Sequence, residues 1–70
     1  MNRFGEKLRV LRKQQGLTQE QVSDMLGVSR PYVAKMERSE KMPNAPMIIK
    51  IADIFGVTAD QLMRDELELD

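Results

Sequence analysis

The sequence predicts an all-α fold of five short helices, and three observations carry that reading. No stretch alternates apolar and polar residues as a half-buried strand would, apolar residues recur three and four positions apart, and helix start and stop signals punctuate the chain at short intervals. Its 70 residues make one domain, residues 1–70, whose core is so small that most apolar side chains are needed to hold it.

Phe4, Leu8 and Leu11 share one face of a first helix over about residues 3–15, which stops at Gly16. Thr18 opens the second helix with Thr-Gln-Glu-Gln, a capping box in which the Thr18 hydroxyl and the Gln21 side chain satisfy backbone N–H groups that the helix leaves unpaired. This helix runs to Leu26 and closes at Gly27. Ser29 is the next N-cap, and Pro31 falls in the first turn of a third helix, about 30–38, where its missing N–H costs nothing. Residues 39–44 read as a loop. Asn44 then caps a fourth helix carrying Met47, Ile48, Ile51, Ala52, Ile54 and Phe55, which ends at Gly56. Thr58 with Gln61 repeats the capping box, Leu62 and Met63 add apolar contact, and residues 65–70 are expected to fray into an acidic tail.

Composition excludes several kinds of chemistry. Without cysteine or histidine there is no disulfide, thiolate nucleophile or imidazole base, and the usual zinc ligands are lacking, so no enzyme, cofactor or metal is expected. No run nears the roughly 20 apolar residues of a membrane span, the first residues lack the apolar run of a signal peptide, and a cytoplasmic location is expected. The formal net charge is zero but unevenly spread. Residues 1–41 hold nine basic against five acidic side chains, and residues 42–70 hold two against six. Such a division suits one basic face turned toward phosphates with an acidic end held away from them.

Residues 19–38 are the most informative, because two short helices joined by so tight a turn must cross steeply and touch closely. Val22, Leu26, Val28, Val33 and Met36 supply apolar contact, Ser23 is small where the axes come nearest, and Gly27 suits a left-handed turn that a β-branched residue would resist. This pattern, carried by Leu17-Thr18-Gln19-Glu20, Gly27-Val28-Ser29, Val33-Ala34-Lys35-Met36-Glu37-Arg38 and Pro43, resembles the Cro/C1-type (Xre family) helix-turn-helix repressors from Phe4 to about Arg64. The resemblance implies a lambda-repressor-like DNA-binding domain in which helices 2 and 3 form the helix-turn-helix. It further implies that Gln19 holds the DNA backbone, that the first two turns of the third helix read bases, and that Arg12 and Glu37 form a partly buried ion pair.

On an ideal helix Val33, Met36 and Glu37 share one side, leaving Arg30, Pro31, Ala34, Lys35 and Arg38 on a basic outer face. Arg30 and Lys35 are the expected donors to base edges, most naturally guanine O6 and N7, and Tyr32 is placed to pack on a thymine methyl or to bond a phosphate. Phosphate anchoring is expected from Gln19, Arg38, Lys41 and Asn44, the last also an N-cap. Arg3, Arg9 and Lys13 are weaker candidates for the same anchoring and read first as solvated charges. Two residues depart from the family pattern: Ser39 stands where glycine is common, so the exit from the third helix is expected to differ, and Pro31 replaces a polar base-reading residue.

One recognition helix spans few base pairs, so a homodimer on a two-fold operator is expected. Met47, Ile54, Val57, Met63, Leu67 and Leu69 exceed what a five-helix core readily buries, and Ile54, Val57, Met63 and Leu67 are the expected interface. Short phage repressors and restriction-modification controller proteins are the regulators this chain resembles, and neither needs a small-molecule effector. The rival reading is an antitoxin-like or adaptor module binding a protein through its last two helices; the basic third helix favours DNA.

Overall fold

The computed structural model describes residues 2–69, in which the order is α1 (Phe4–Gln14), α2 (Gln19–Leu26), α3 (Arg30–Glu37), α4 (Ala45–Phe55) and α5 (Ala59–Met63), with no strand among the described residues. Four of the five helices start where a side chain takes up an otherwise unpaired N–H. Thr18 Oγ1 accepts from the Gln21 amide at 3.1 Å while Gln21 Oε1 accepts from the Thr18 N–H at 2.8 Å, and Thr58 with Gln61 repeats this box at 3.0 and 2.9 Å. Ser29 and Asn44 cap α3 and α4 through the amides of Tyr32 and Met47.

The exit of α3 corrects the expectation drawn from Ser39. The Glu40 N–H donates to Lys35 O at 2.8 Å and the Ser39 N–H to Met36 O at 3.1 Å, with Ser39 at φ 60°. This is the Schellman closure that a glycine would make, so serine leaves the path of the chain unchanged and is itself held in the left-handed region.

The core gathers Phe4, Leu8 and Leu11 of α1, Val22 and Leu26 of α2, Val33 and Met36 of α3, Ile48, Ile51, Ala52 and Phe55 of α4, and Leu62 of α5. At about 1.5–3 kcal/mol for each large apolar side chain withdrawn from water, this cluster is the main force holding α3 in place. Two small residues set how closely helices meet. Ser23 is buried and turns its hydroxyl back onto Glu20 O at 2.6 Å, so no polar group is stranded between α2 and α3. Gly5 lets α1 lie on the end of α3: a Cβ there would sit 2.5 Å from the carbonyl oxygens of both Met36 and Glu37.

The segment after α5 does not fray, which corrects the expected acidic tail over the described part of 65–70; Asp70 lies outside the described residues. The Gln61 amide holds it locally, donating to the carbonyl oxygens of Glu68 and Leu69, and its other polar attachments come from the other end of the chain, where no local pattern reveals them. Asp65 accepts the backbone N–H groups of Asn2 and Arg3 at 3.0 and 2.9 Å and so pins the chain just ahead of α1, whose own N-cap residue Arg3 makes no side-chain cap. Lys7 is only 1% exposed and donates through Nζ to the carbonyl oxygens of Gln61, Arg64 and Leu67 at 2.5, 2.8 and 2.6 Å. A buried ammonium thus ties the end of α5 and the following turn to α1, stabilised by three carbonyl dipoles.

The apolar surplus expected from the sequence is partly absorbed. Met47, Ile54, Val57 and Leu69 pack against the core while still partly accessible, whereas Met63 and Leu67 are 41% and 38% exposed.

Candidate nucleic-acid interface

Around α2 and α3 the structure is organised by one carboxylate. The Glu37 side chain is fully buried at the end of α3 and accepts both arms of Arg12, from Nε at 2.6 Å and from Nη2 at 3.1 Å. Arg12 Nη1 donates in turn to Leu17 O at 3.0 Å, and Gln19 Nε2 donates to Glu37 Oε1 at 3.1 Å. Helix α1, the turn into α2, the first residue of α2 and the last of α3 are therefore joined through a single group. Burial pushes the Glu37 carboxyl up, but the hydrogen bonds from Arg12 and Gln19 and the charges of Arg12 and Arg9 outweigh it and hold the group below its ordinary value. Glu37 stays ionised at neutral pH and points inward, away from the outer face of its helix.

That outer face is basic. Val33, Met36 and Glu37 are buried, while Arg30, Pro31, Lys35 and Arg38 are exposed and Tyr32 and Ala34 are half-buried. Arg30 stands at the first position of α3 and lines an open cleft with Arg12, Leu17, Thr18, Gln19 and Gln21, where the starts of α2 and α3 face the same space. Arg3, Arg9, Arg12, Arg38 and Arg64 each lie within ion-pair distance of a carboxylate; among the described residues Arg30 alone of the arginines does not. Lys35 and Lys41 are likewise exposed with no ion pair among the described residues. Tyr32 lays part of its ring against the core.

The expected phosphate-binding residues are differently occupied. The Gln19 amide spends one N–H on Glu37. Arg38 pairs with Glu40 at 2.9 and 3.2 Å, but both side chains are more than half exposed, so water competes for the pair and a phosphate can replace Glu40 cheaply. Asn44 Oδ1 is engaged as the N-cap of α4, which leaves its NH2 group for another acceptor.

Gly5, Lys7 and Asp65 are the residues sequence reasoning passed over. Lys7 carried a usable signal, since it falls on the same helical face as Phe4, Leu8 and Leu11, where a lysine must find internal partners. Arg9, read as a solvated charge, has Nε 3.6 Å from Glu37 Oε1.

Residues 8–62 match the helix-turn-helix family HTH_3. The HTH-type transcriptional activator BcrR of Enterococcus faecalis is 41% identical over 63 residues, which cover 90% of this chain and 31% of that protein, so the chain spans about a third of this relative. The uncharacterized HTH-type transcriptional regulator YazB of Bacillus subtilis (strain 168) is 35% identical over 90% of this chain and 91% of its own length. Among solved structures, the P22 c2 repressor in complex with a synthetic operator superposes with a TM-score of 0.83 at 28% identity, covering 90% of this chain and 96% of that one. The N-terminal DNA-binding domain of SinR from Bacillus subtilis shares the fold at a TM-score of 0.83 and 20% identity, covering 97% and 100% of the two chains. The family is one of DNA-binding regulators and not of enzymes, and no helix among the described residues is long and apolar enough to cross a membrane. Its fold, its helix-turn-helix and these likenesses place the chain in the Cro/C1-type helix-turn-helix family of DNA-binding transcriptional regulators.

Proposed function

We propose that this regulator binds a palindromic operator as a homodimer, each protomer laying α3 in the major groove of one half-site. The observation that carries the reading is Arg30: an exposed guanidinium at the start of the helix, without a carboxylate among the described residues, beside an equally unpaired Lys35. A guanidinium so placed is a ready bidentate donor to guanine O6 and N7. Lys35 is the second base-edge donor, and Tyr32, held by the core, offers its remaining edge to a thymine methyl or a phosphate. Gln19, Arg38, Lys41 and Asn44 set register on the backbone, aided by the partial positive charge at the helix N-termini.

Dimerisation is proposed through the side remote from α3, with exposed Met63 and Leu67 at its centre and the half-buried Ile54 and Val57 beside them. Two half-sites about 34 Å apart then meet two α3 helices. Such a regulator works in the cytoplasm, where its DNA is, and the mechanism calls for no cofactor or effector.

Selection of bound molecules from a pool of random duplexes, with the mass of the complex measured by light scattering, tests the proposal. An inverted repeat bound by two protomers is the expected result. Enrichment of no sequence would reject it and turn attention to a protein partner for α4 and α5. Enrichment of a single half-site bound by one protomer would reject the dimer alone.

A further inference from the structure

Of the two exposed apolar side chains placed at the centre of the dimer face, Met63 ends α5 and Leu67 lies beyond it, outside any helix. Local contacts to the segment that carries Leu67 are few: the Leu67 N–H closes a turn onto Arg64 O at 3.1 Å, and the Gln61 amide reaches Glu68 O and Leu69 O. Helix α5, from which the segment hangs, has five residues of which Leu62 alone is buried, and a helix so short has no stability of its own. The position of Leu67 therefore depends on α1. Lys7 donates through Nζ to Gln61 O on α5 and to Arg64 O and Leu67 O beyond it. Asp65 takes the N–H groups of Asn2 and Arg3, Arg3 Nη1 reaches Asp65 O at 2.9 Å and Glu68 at 3.3 Å, and Leu69 packs against the core. The ammonium is the centre of this attachment because it is withdrawn from water and solvated by carbonyl oxygens alone. Releasing residues 64–69 takes away two of its three acceptors, so the segment is held or freed as a unit.

We propose that Lys7 is a positioning residue of the dimer interface: too deeply buried to touch the partner copy, it holds residues 64–69 against α1 and so presents Leu67 beside Met63. This inference rests on the homodimer reading above and adds to it a dependence on the other end of the chain. The apolar face is complete only while the segment is docked, so docking and dimerisation are linked and each favours the other. Binding of a second copy thereby tightens the contacts at Asn2 and Arg3, which belong to neither helix of the interface. Each protomer must bring a docked segment, so the docked fraction enters twice. A variant docked between one time in three and one time in ten has its dimer dissociation constant raised about 10–100-fold.

Sedimentation equilibrium gives the dimer constant, and fluorescence anisotropy gives the affinity for a duplex carrying a single half-site, for the wild type, Lys7→Met, Asp65→Ala and Leu67→Ser. Lys7→Met and Asp65→Ala should weaken the dimer about 10–100-fold while binding the half-site as the wild type does, since neither residue touches α3. Leu67→Ser should lose the dimer yet keep the Asn2 and Arg3 amides as protected as in the wild-type monomer. Lys7→Met and Asp65→Ala proteins that dimerise as tightly as the wild type overturn the inference. An equal fall in half-site affinity also overturns it, because Lys7 then supports the whole fold and not the interface. A measurement on the wild type covers the case in which the variants do not fold: the Asn2 and Arg3 amides should exchange more slowly with water, followed by NMR, as rising concentration takes the protein from monomer to dimer. Exchange there that is independent of concentration overturns the proposal. A wild type that stays monomeric at every concentration and on the full operator fails the dimer reading as well, whereas a dimer indifferent to Lys7 and Asp65 fails this inference alone.

Discussion

Replacing Gly5 with alanine separates the packing account from helix propensity, because the two predict opposite signs. Within a helix alanine is favoured over glycine by up to about 1 kcal/mol, so a reading from propensity alone expects Gly5→Ala to stabilise the protein. The structure predicts the reverse. The added Cβ would sit 2.5 Å from the carbonyl oxygens of Met36 and Glu37, and both obstacles are backbone that cannot swing aside as a side chain would. Restoring ordinary contact requires α1 and the end of α3 to part by about 1 Å, a displacement in the range where overpacking costs about 1–3 kcal/mol. After the propensity gain, a net loss of up to about 2 kcal/mol remains, equivalent to a fall of up to about 16 °C in Tm for a domain of this size. Thermal unfolding followed by circular dichroism measures it directly. A Tm equal to or above that of the wild type would refute the close approach of α1 to α3.

The other predictions concern single anchors. Lys7→Met keeps the apolar stem but removes the donor to three carbonyl oxygens; a loss of about 2–4 kcal/mol and faster amide exchange over residues 64–69 are expected, and unchanged protection there would contradict the anchoring role. Ser39→Gly relieves a left-handed serine at the exit of α3, and relief of about 1–2 kcal/mol less the entropy glycine gains in the unfolded chain leaves a gain of about 0.5–1 kcal/mol in urea unfolding; a lower midpoint would count against it. Glu37 has its carboxyl depressed in the folded protein, so its contribution is present above the unfolded value of about 4.3 and disappears as pH falls through the folded value. Wild-type stability should accordingly drop on acidification below about pH 5, while Glu37→Gln starts about 3 kcal/mol lower at neutral pH and loses less on acidification; parallel pH profiles would show that the carboxylate is not the acid-sensitive link.

Much of the fold was legible because its punctuation is local. Thr18, Ser29, Asn44 and Thr58 each satisfy an amide three residues ahead, so the start of a helix is written within four consecutive residues. The outer face of α3 was legible for a similar reason, since the helical period alone sends Val33, Met36 and Glu37 inward. What escaped depends on groups brought together from distant parts of the chain. Asp65 and Glu66 look like part of a solvated tail until Asp65 is found holding the amides just ahead of α1, and Gly5 looks ordinary until the carbonyl oxygens of α3 are seen against it. Ser39 was misjudged for another reason. The Schellman closure of α3 is strong enough to impose a left-handed conformation on a residue that disfavours it.

The central claim is that the outer face of α3 reads bases, and repeating the duplex selection with Arg30→Ala tests it most directly. The account predicts that the variant folds like the wild type, since Arg30 is exposed and makes no ion pair among the described residues, and that it loses preference at one base pair in each half-site while keeping the rest. The lost discrimination should be about 1–3 kcal/mol at that position. An Arg30→Ala protein that selects the same sequence with the same discrimination at every position would contradict it.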